Sequence, residues 1–146
     1  MFVFKFQQVL DYRKNVEEKI LHEFSDNKRR LESEGLKLQT LIEERTSLIG
    51  ELKKMQNVPV PAGNIARCVS YIERIREDEA KQKQIIDQVN KQLEAKRREL
   101  LEAVKKRKVM EKLKERHTEE FEKNMRDLEQ KNSDEMAVLR FGWREK

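Results

Sequence analysis

NVPVPAG, residues 57–63, is the only stretch of the 146-residue sequence where proline and glycine crowd together, and charged helical sequence surrounds it on both sides. A continuous helix cannot pass through Pro59 and Pro61, because proline lacks a backbone N–H and its ring clashes with the preceding turn. The stretch is therefore either a linker between two separate helices or a turn that folds one long helix back on another.

The sequence before it favours the turn. Steps of four and three residues from Phe6 reach Leu10, Ile20, Phe24, Leu31, Leu38, Leu41, Leu48, Leu52 and Met55, with Arg13, Glu17, Asn27, Glu34 and Arg45 as interruptions. That spacing is a heptad seam. Val9, Val16, Leu21, Leu36, Ile42 and Ile49 sit one position off it and widen the stripe. Gly35 and Gly50 each cost about 1 kcal/mol against alanine inside a helix, which a long packed helix absorbs.

After the turn, Asn64 is placed to cap a helix whose first apolar face is Ile65, Val69, Ile72 and Ile75. Ile86, Val89, Leu93, Leu100, Val104, Met110, Leu113, Phe121, Met125 and Leu128 continue at helical spacing. No proline follows Pro61, and no glycine lies between Gly63 and Gly142. Neither arm can bury its stripe alone, so the expected fold is all-α, a two-helix antiparallel coiled-coil hairpin. Its expected limits are one domain over 1–146, with helix 1 at about 5–56, the turn at 57–63, helix 2 at about 64–139 and a short C-terminal tail.

The arms are unequal. At 1.5 Å per residue the first spans ~75 Å and the second ~110 Å, so the first is expected to run out opposite roughly Leu113. The remaining helix, carrying Phe121, Met125, Leu128 and Met136, is then a projecting end with an apolar stripe, suited to docking or self-association.

Composition narrows the function. With 36% hydrophobic, 6% aromatic and 42% charged residues, the chain has too little apolar material for a layered core. Its net charge of +5 is mild because both signs are interleaved, so it asks for no nucleic acid. The basic clusters at 27–30, 96–98 and 105–109 each have acidic neighbours, namely Glu32, Glu94 and Glu102, and read first as solvated helix faces with intrahelical pairing. A single cysteine, Cys68, excludes an intramolecular disulfide and suits a reducing compartment. No run approaches the ~18 apolar residues that a spanning helix needs. No phosphate loop or His-Glu-x-x-His occurs, and His22 and His117 lie far apart, so no enzyme, cofactor or metal site is expected.

Two further stretches, with the turn, resemble a known family. The opening FKFQQVLDYRKNVEEK, through Phe4, Phe6, Val9, Leu10 and Arg13, is similar to the start of the FliJ proteins of the bacterial flagellar type III export apparatus. The ending resembles that family through Lys106, Leu113, Arg116, Phe121, Glu129, Gln130, Lys131, Asp134, Glu135, Ala137 and Phe141. The resemblance implies a cytoplasmic, non-catalytic export component, peripheral to the inner face of the cell membrane at the flagellar base. It is similar in shape to the central stalk of rotary ATP synthases. Its implied partners are the hexameric flagellar export ATPase, the cytoplasmic linker region of the large export-gate membrane protein and, for some members, export chaperones. By position it maps gate contact onto Leu41, Glu44, Leu48, Tyr71 and Ile75, where Glu44 departs from the aromatic that can stand in relatives. The distal end offers Arg13, Arg116, Arg126 and Arg140 for ATPase contact, with Phe6, Phe121 and Met125 as apolar anchors. The alternatives are a structural coiled-coil adaptor and the stalk of a virulence injectisome, which shares the architecture.

Overall fold

A computed structural model describes residues 1–145. It consists of two helices, α1 (Gln7–Met55) and α2 (Ala62–Glu145), with no strand among the described residues. This is the all-α helical hairpin expected from the sequence. Its contacts group the chain into two compact units, a turn unit (Lys19–Leu100) and a terminal unit (Met1–Glu18 with Leu101–Lys146), each holding part of both helices.

The turn unit forms because α1 has somewhere to stop. Its last turn carries Lys53 and Lys54, cations that suit the negative end of the helix dipole. The Asn57 amide then donates to the Lys54 carbonyl at 3.2 Å, tightening the exit. Pro61 sits at the start of α2, where its fixed φ favours helix and its missing N–H has no partner to lose. Its carbonyl accepts from the Asn64 amide at 3.0 Å. Helix therefore begins at Ala62 and places Asn64 inside the first turn, a correction to its expected capping role.

Between the helices of this unit, every third and then fourth residue of α2 turns inward. Ile65, Cys68, Ile72, Ile75, Glu79, Gln82, Ile86, Val89, Leu93, Lys96 and Leu100 are all buried or half-buried, with Val89 only 1% exposed. Val69, expected on this face, is exposed, and Cys68 takes its place, its thiol donating to the Leu48 carbonyl at 3.6 Å. The pairing is antiparallel. Leu48 meets Cys68, Arg45 meets Glu79, Glu34 meets Gln82 and Glu23 meets Lys96.

These polar pairs explain the interruptions in the α1 seam. Arg45 Nε donates to Glu79 Oε1 at 2.6 Å, and Gln82 Nε2 donates both to the Glu34 carbonyl at 2.9 Å and to its carboxylate at 2.5 Å. A slip of one heptad would bury each of these groups against an aliphatic neighbour, at a cost of about 1–3 kcal/mol for an unsatisfied polar group. The polar layers therefore fix register where uniform leucine layers would leave it loose.

The terminal unit continues the same spacing in α2 through Ala103, Arg107, Met110, Lys114, His117 and Phe121. Opposite it, Leu10 is buried at 1% exposure and Glu17 accepts from Arg107. Ahead of α1 the chain is not helical, which moves the helix start from the expected residue 5 to Gln7. At the other end, α2 continues through Gly142 to Glu145 where a tail was expected from about residue 139. One glycine costs only about 1 kcal/mol, and no proline is present to stop the helix.

The Arg45–Glu79 layer generates a test. Arg45→Leu alone should lower the unfolding free energy in urea by about 1–3 kcal/mol, because it strands a carboxylate that is only 7% exposed. Adding Glu79→Leu should recover that loss, since an apolar pair of similar volume replaces a buried ion pair at little or no cost.

Candidate functional site: the aromatic cap and the uncovered end of α2

The sequence FVFKF at residues 2–6 puts three aromatic residues ahead of α1, with Lys5 and Phe6 in a turn closed by the Gln7 amide donating to the Phe4 carbonyl at 3.2 Å. Their rings gather on α2. The Phe2 ring is 5.3 Å from Phe121, and Phe4, buried at 5% exposure, meets His117 edge-on at 5.6 Å. Phe6 stands 6.0 Å from Phe4 and 6.4 Å from His117, half open to solvent, with the Lys5 ammonium 5.9 Å from its ring. These centroid spacings are those of attractive aromatic pairs, worth about 0.5–1.5 kcal/mol each beyond burial.

The cap sets where cover ends. The non-helical residues 2–4 lengthen the reach of the first arm, so α2 is covered as far as Phe121, beyond the Leu113 expected from helix length. Phe121 therefore has an intrachain partner in Phe2. From Glu122 to Arg144 every residue is exposed, Met125, Leu128, Met136, Leu139 and Trp143 included.

The residues singled out for ATPase contact all belong to this terminal unit. Phe6 and Phe121 lie in the cap, while Arg13 is half-buried with its guanidinium 5.9 Å from the Tyr12 ring. Arg116, Met125, Arg126 and Arg140 are exposed on α2. No salt bridge holds Arg13, Arg116, Arg126 or Arg140 among the described residues.

The residues mapped to gate contact divide differently. Ile75, 3% exposed, is seam, and Leu41 and Leu48 are half-buried beside it. Glu44 and Tyr71 face solvent. Glu44 lines a shallow groove with Lys37, Thr40, Leu41, Asp78 and Lys81, whereas Tyr71, 49% exposed, lies in a separate one beside Arg67, Ser70 and Arg74. The turn unit thus offers outward polar and aromatic groups at those positions and keeps the aliphatic ones for its own packing.

Two of the three basic clusters are partly paired within the hairpin, while the exposed Lys28, Arg29 and Arg30 hold no salt bridge among the described residues. Lys96 donates to Glu23 at 2.7 Å and to Glu99 at 3.1 Å, Arg97 pairs with Glu94, and Lys105 pairs with Glu102. Arg107 donates to Glu17 and, at 2.8 Å, to Glu111. No cluster of histidine, cysteine and carboxylate able to hold a metal occurs among the described residues. Among the described residues no helix is long and apolar enough to cross a membrane.

Fold and site define a class, an α-helical hairpin whose polar seam fixes its register and whose second helix carries an uncovered apolar end. The family model for "FliJ: Flagellar FliJ protein" matches residues 1–146, and the chain belongs to that family. Membership makes it a component of flagellar protein export. No curated protein and no solved structure matches the chain.

Several cross-helix pairs shift the acidity of their members. The hydrogen bond from Gln82 is the main cause holding the Glu34 carboxyl below the ordinary 4.5, with Lys37 and Arg30 adding to it against burial. Lys96 does the same for Glu23 through a hydrogen bond and its charge. Conversely, Glu23 and Glu99 hold the Lys96 ammonium above its ordinary value, and Glu17 and Glu111 raise Arg107. A carboxyl whose folded value is depressed contributes stability that is fully present above its unfolded value and is lost as pH falls through the folded one. The melting temperature should thus be flat from neutral pH to about pH 5 and fall below about pH 4.5. Circular dichroism melts of the wild type and of Glu34→Gln check this, the variant showing the shallower acid fall.

Proposed function

We propose that the chain acts as a non-catalytic stalk of the export apparatus, docking its terminal unit in the hexameric export ATPase and its turn unit on the linker of the membrane export gate. The single observation that supports this reading is the uncovered run of α2 from Glu122 to Arg144, which keeps large apolar residues in water at the end where the chain termini meet the hairpin. An isolated helix of this length is marginal in water, so a docked partner gives it the tertiary contacts it lacks. Within the reading, Arg116, Arg126 and Arg140 offer rigid donor forks to carboxylates on a channel wall, with Met125 as an apolar contact between them. Arg13, Phe6 and Phe121 form the base of that surface. On the turn unit, Tyr71 is the strongest contact for the gate linker because it combines exposed ring area with a polar tip. Leu41, Leu48 and Ile75 hold the helix that presents it, and Glu44 contributes a rim charge. Export chaperones are further partners in this reading.

Hydrolysis by the cognate export ATPase, titrated with the full chain and with a version ending at Glu122, tests the stalk. The full chain should stimulate hydrolysis several-fold to saturation, and the truncated chain, with its cap intact, should not. Equal stimulation by both, or none by either with an active hexamer, overturns the proposal.

A further inference from the structure

Most of the large apolar side chains that α2 leaves uncovered do not continue its intrachain seam. Beyond Phe121 that spacing calls on Asn124, Leu128, Lys131, Glu135 and Val138, whereas the exposed Met125, Leu128, Met136, Leu139 and Trp143 share another stripe and Phe141 lies on neither. The stripe runs 121, 125, 128, 132, 136, 139 and 143, and its steps of four, three, four, four, three and four read the same in both directions. Asn132 stands at the centre. A pattern that recurs every eleven residues, about 3.67 per turn, stays on one face of a nearly straight helix without strong supercoiling.

We propose that this end of α2 pairs antiparallel with the same segment of a second copy, about a two-fold axis at Asn132. In that arrangement Asn132 meets its own counterpart, Leu128 meets Met136, and Met125 meets Leu139. Trp143 reaches the Phe2–Phe121 ring pair of the other copy. The contact is isologous and therefore closes at two chains. The central asparagine pair fixes the register, because a shift by one layer would bury an amide against an aliphatic side chain.

Charge favours antiparallel over parallel pairing with a second copy. Residues 136–144 carry Arg140 and Arg144 and no acid. Antiparallel pairing about Asn132 sets them against 120–128 of the other copy, where Glu120, Glu122 and Asp127 outnumber Lys123 and Arg126, and brings Arg144 to Glu120, while 129–135 meets itself. Parallel pairing stacks like charge on like, which is unfavourable for facing helices. The inference is independent of the stalk reading, since it concerns the chain alone, and the two uses of the segment exclude one another.

Sedimentation velocity of the full chain over a concentration series tests self-pairing. A monomer–dimer equilibrium is expected, weakened at least about tenfold by Leu128→Glu with Leu139→Glu. Circular dichroism of that variant should retain the helical signal of the hairpin. Cross-linking reads the direction, with native Cys68 silent because it is buried. Asn132→Cys should give a disulfide dimer on mild oxidation, Met125→Cys alone should not, and Met125→Cys mixed with Leu139→Cys should. A wild type that sediments as a monomer throughout overturns the proposal, as does a dimer that survives the double glutamate substitution. Met125→Cys cross-linking to itself in preference to Leu139→Cys overturns it equally.

Discussion

The structure depends on one constraint, that every third and then fourth residue of α2 from Ile65 to Phe121 must find something on α1 or its N-terminal extension to face. With few aromatic residues and many charges, the chain meets it partly with ion pairs and amides. Polar layers contribute less to stability than aliphatic ones would, because desolvation offsets most of their attraction. They contribute specificity instead. Arg45 with Glu79, Gln82 with Glu34, and Arg107 with Glu17 each meet across the helices at one register.

That division of labour determines what remains free for partners. Aliphatic residues near the turn, such as Ile75 and Leu48, are consumed by the seam, and cations such as Lys96 and Arg107 are consumed by cross-helix carboxylates. The large side chains that stay exposed point away from the seam, Tyr71 on the turn unit and those at the end of α2 in the terminal unit among them. Membership of a flagellar export family is consistent with surfaces of this kind.

Much of this was legible in the sequence. The steps from Phe6 to Met55 name the α1 positions that turn toward α2, polar interruptions included, because heptad spacing follows from helix geometry alone. The fate of Arg45, Glu34 and Glu17 was not legible, since a polar residue in a seam looks like a defect until its partner some tens of residues away is placed beside it. Val69 and Cys68 exchanged roles for a similar reason. Hydrophobicity favours valine, but the three-four phase set by Ile65 and Ile72 selects position 68. The aromatic cap was missed because FVFKF was merged with the helix that follows, whereas the chain is not helical before Gln7.

The cap and the stripe beyond it are linked. Phe2 and Phe4 end the intrachain seam at Phe121, and past that point Leu128 and Val138 keep its phase while Met125, Met136, Leu139 and Trp143 leave it. A stripe largely in a new phase suits a different surface. Its symmetry about Asn132 is a property that a second copy of the same helix matches. Under the two proposals the uncovered end of α2 would have two competing occupants, and its affinity for itself would set how much of the chain is free for the other.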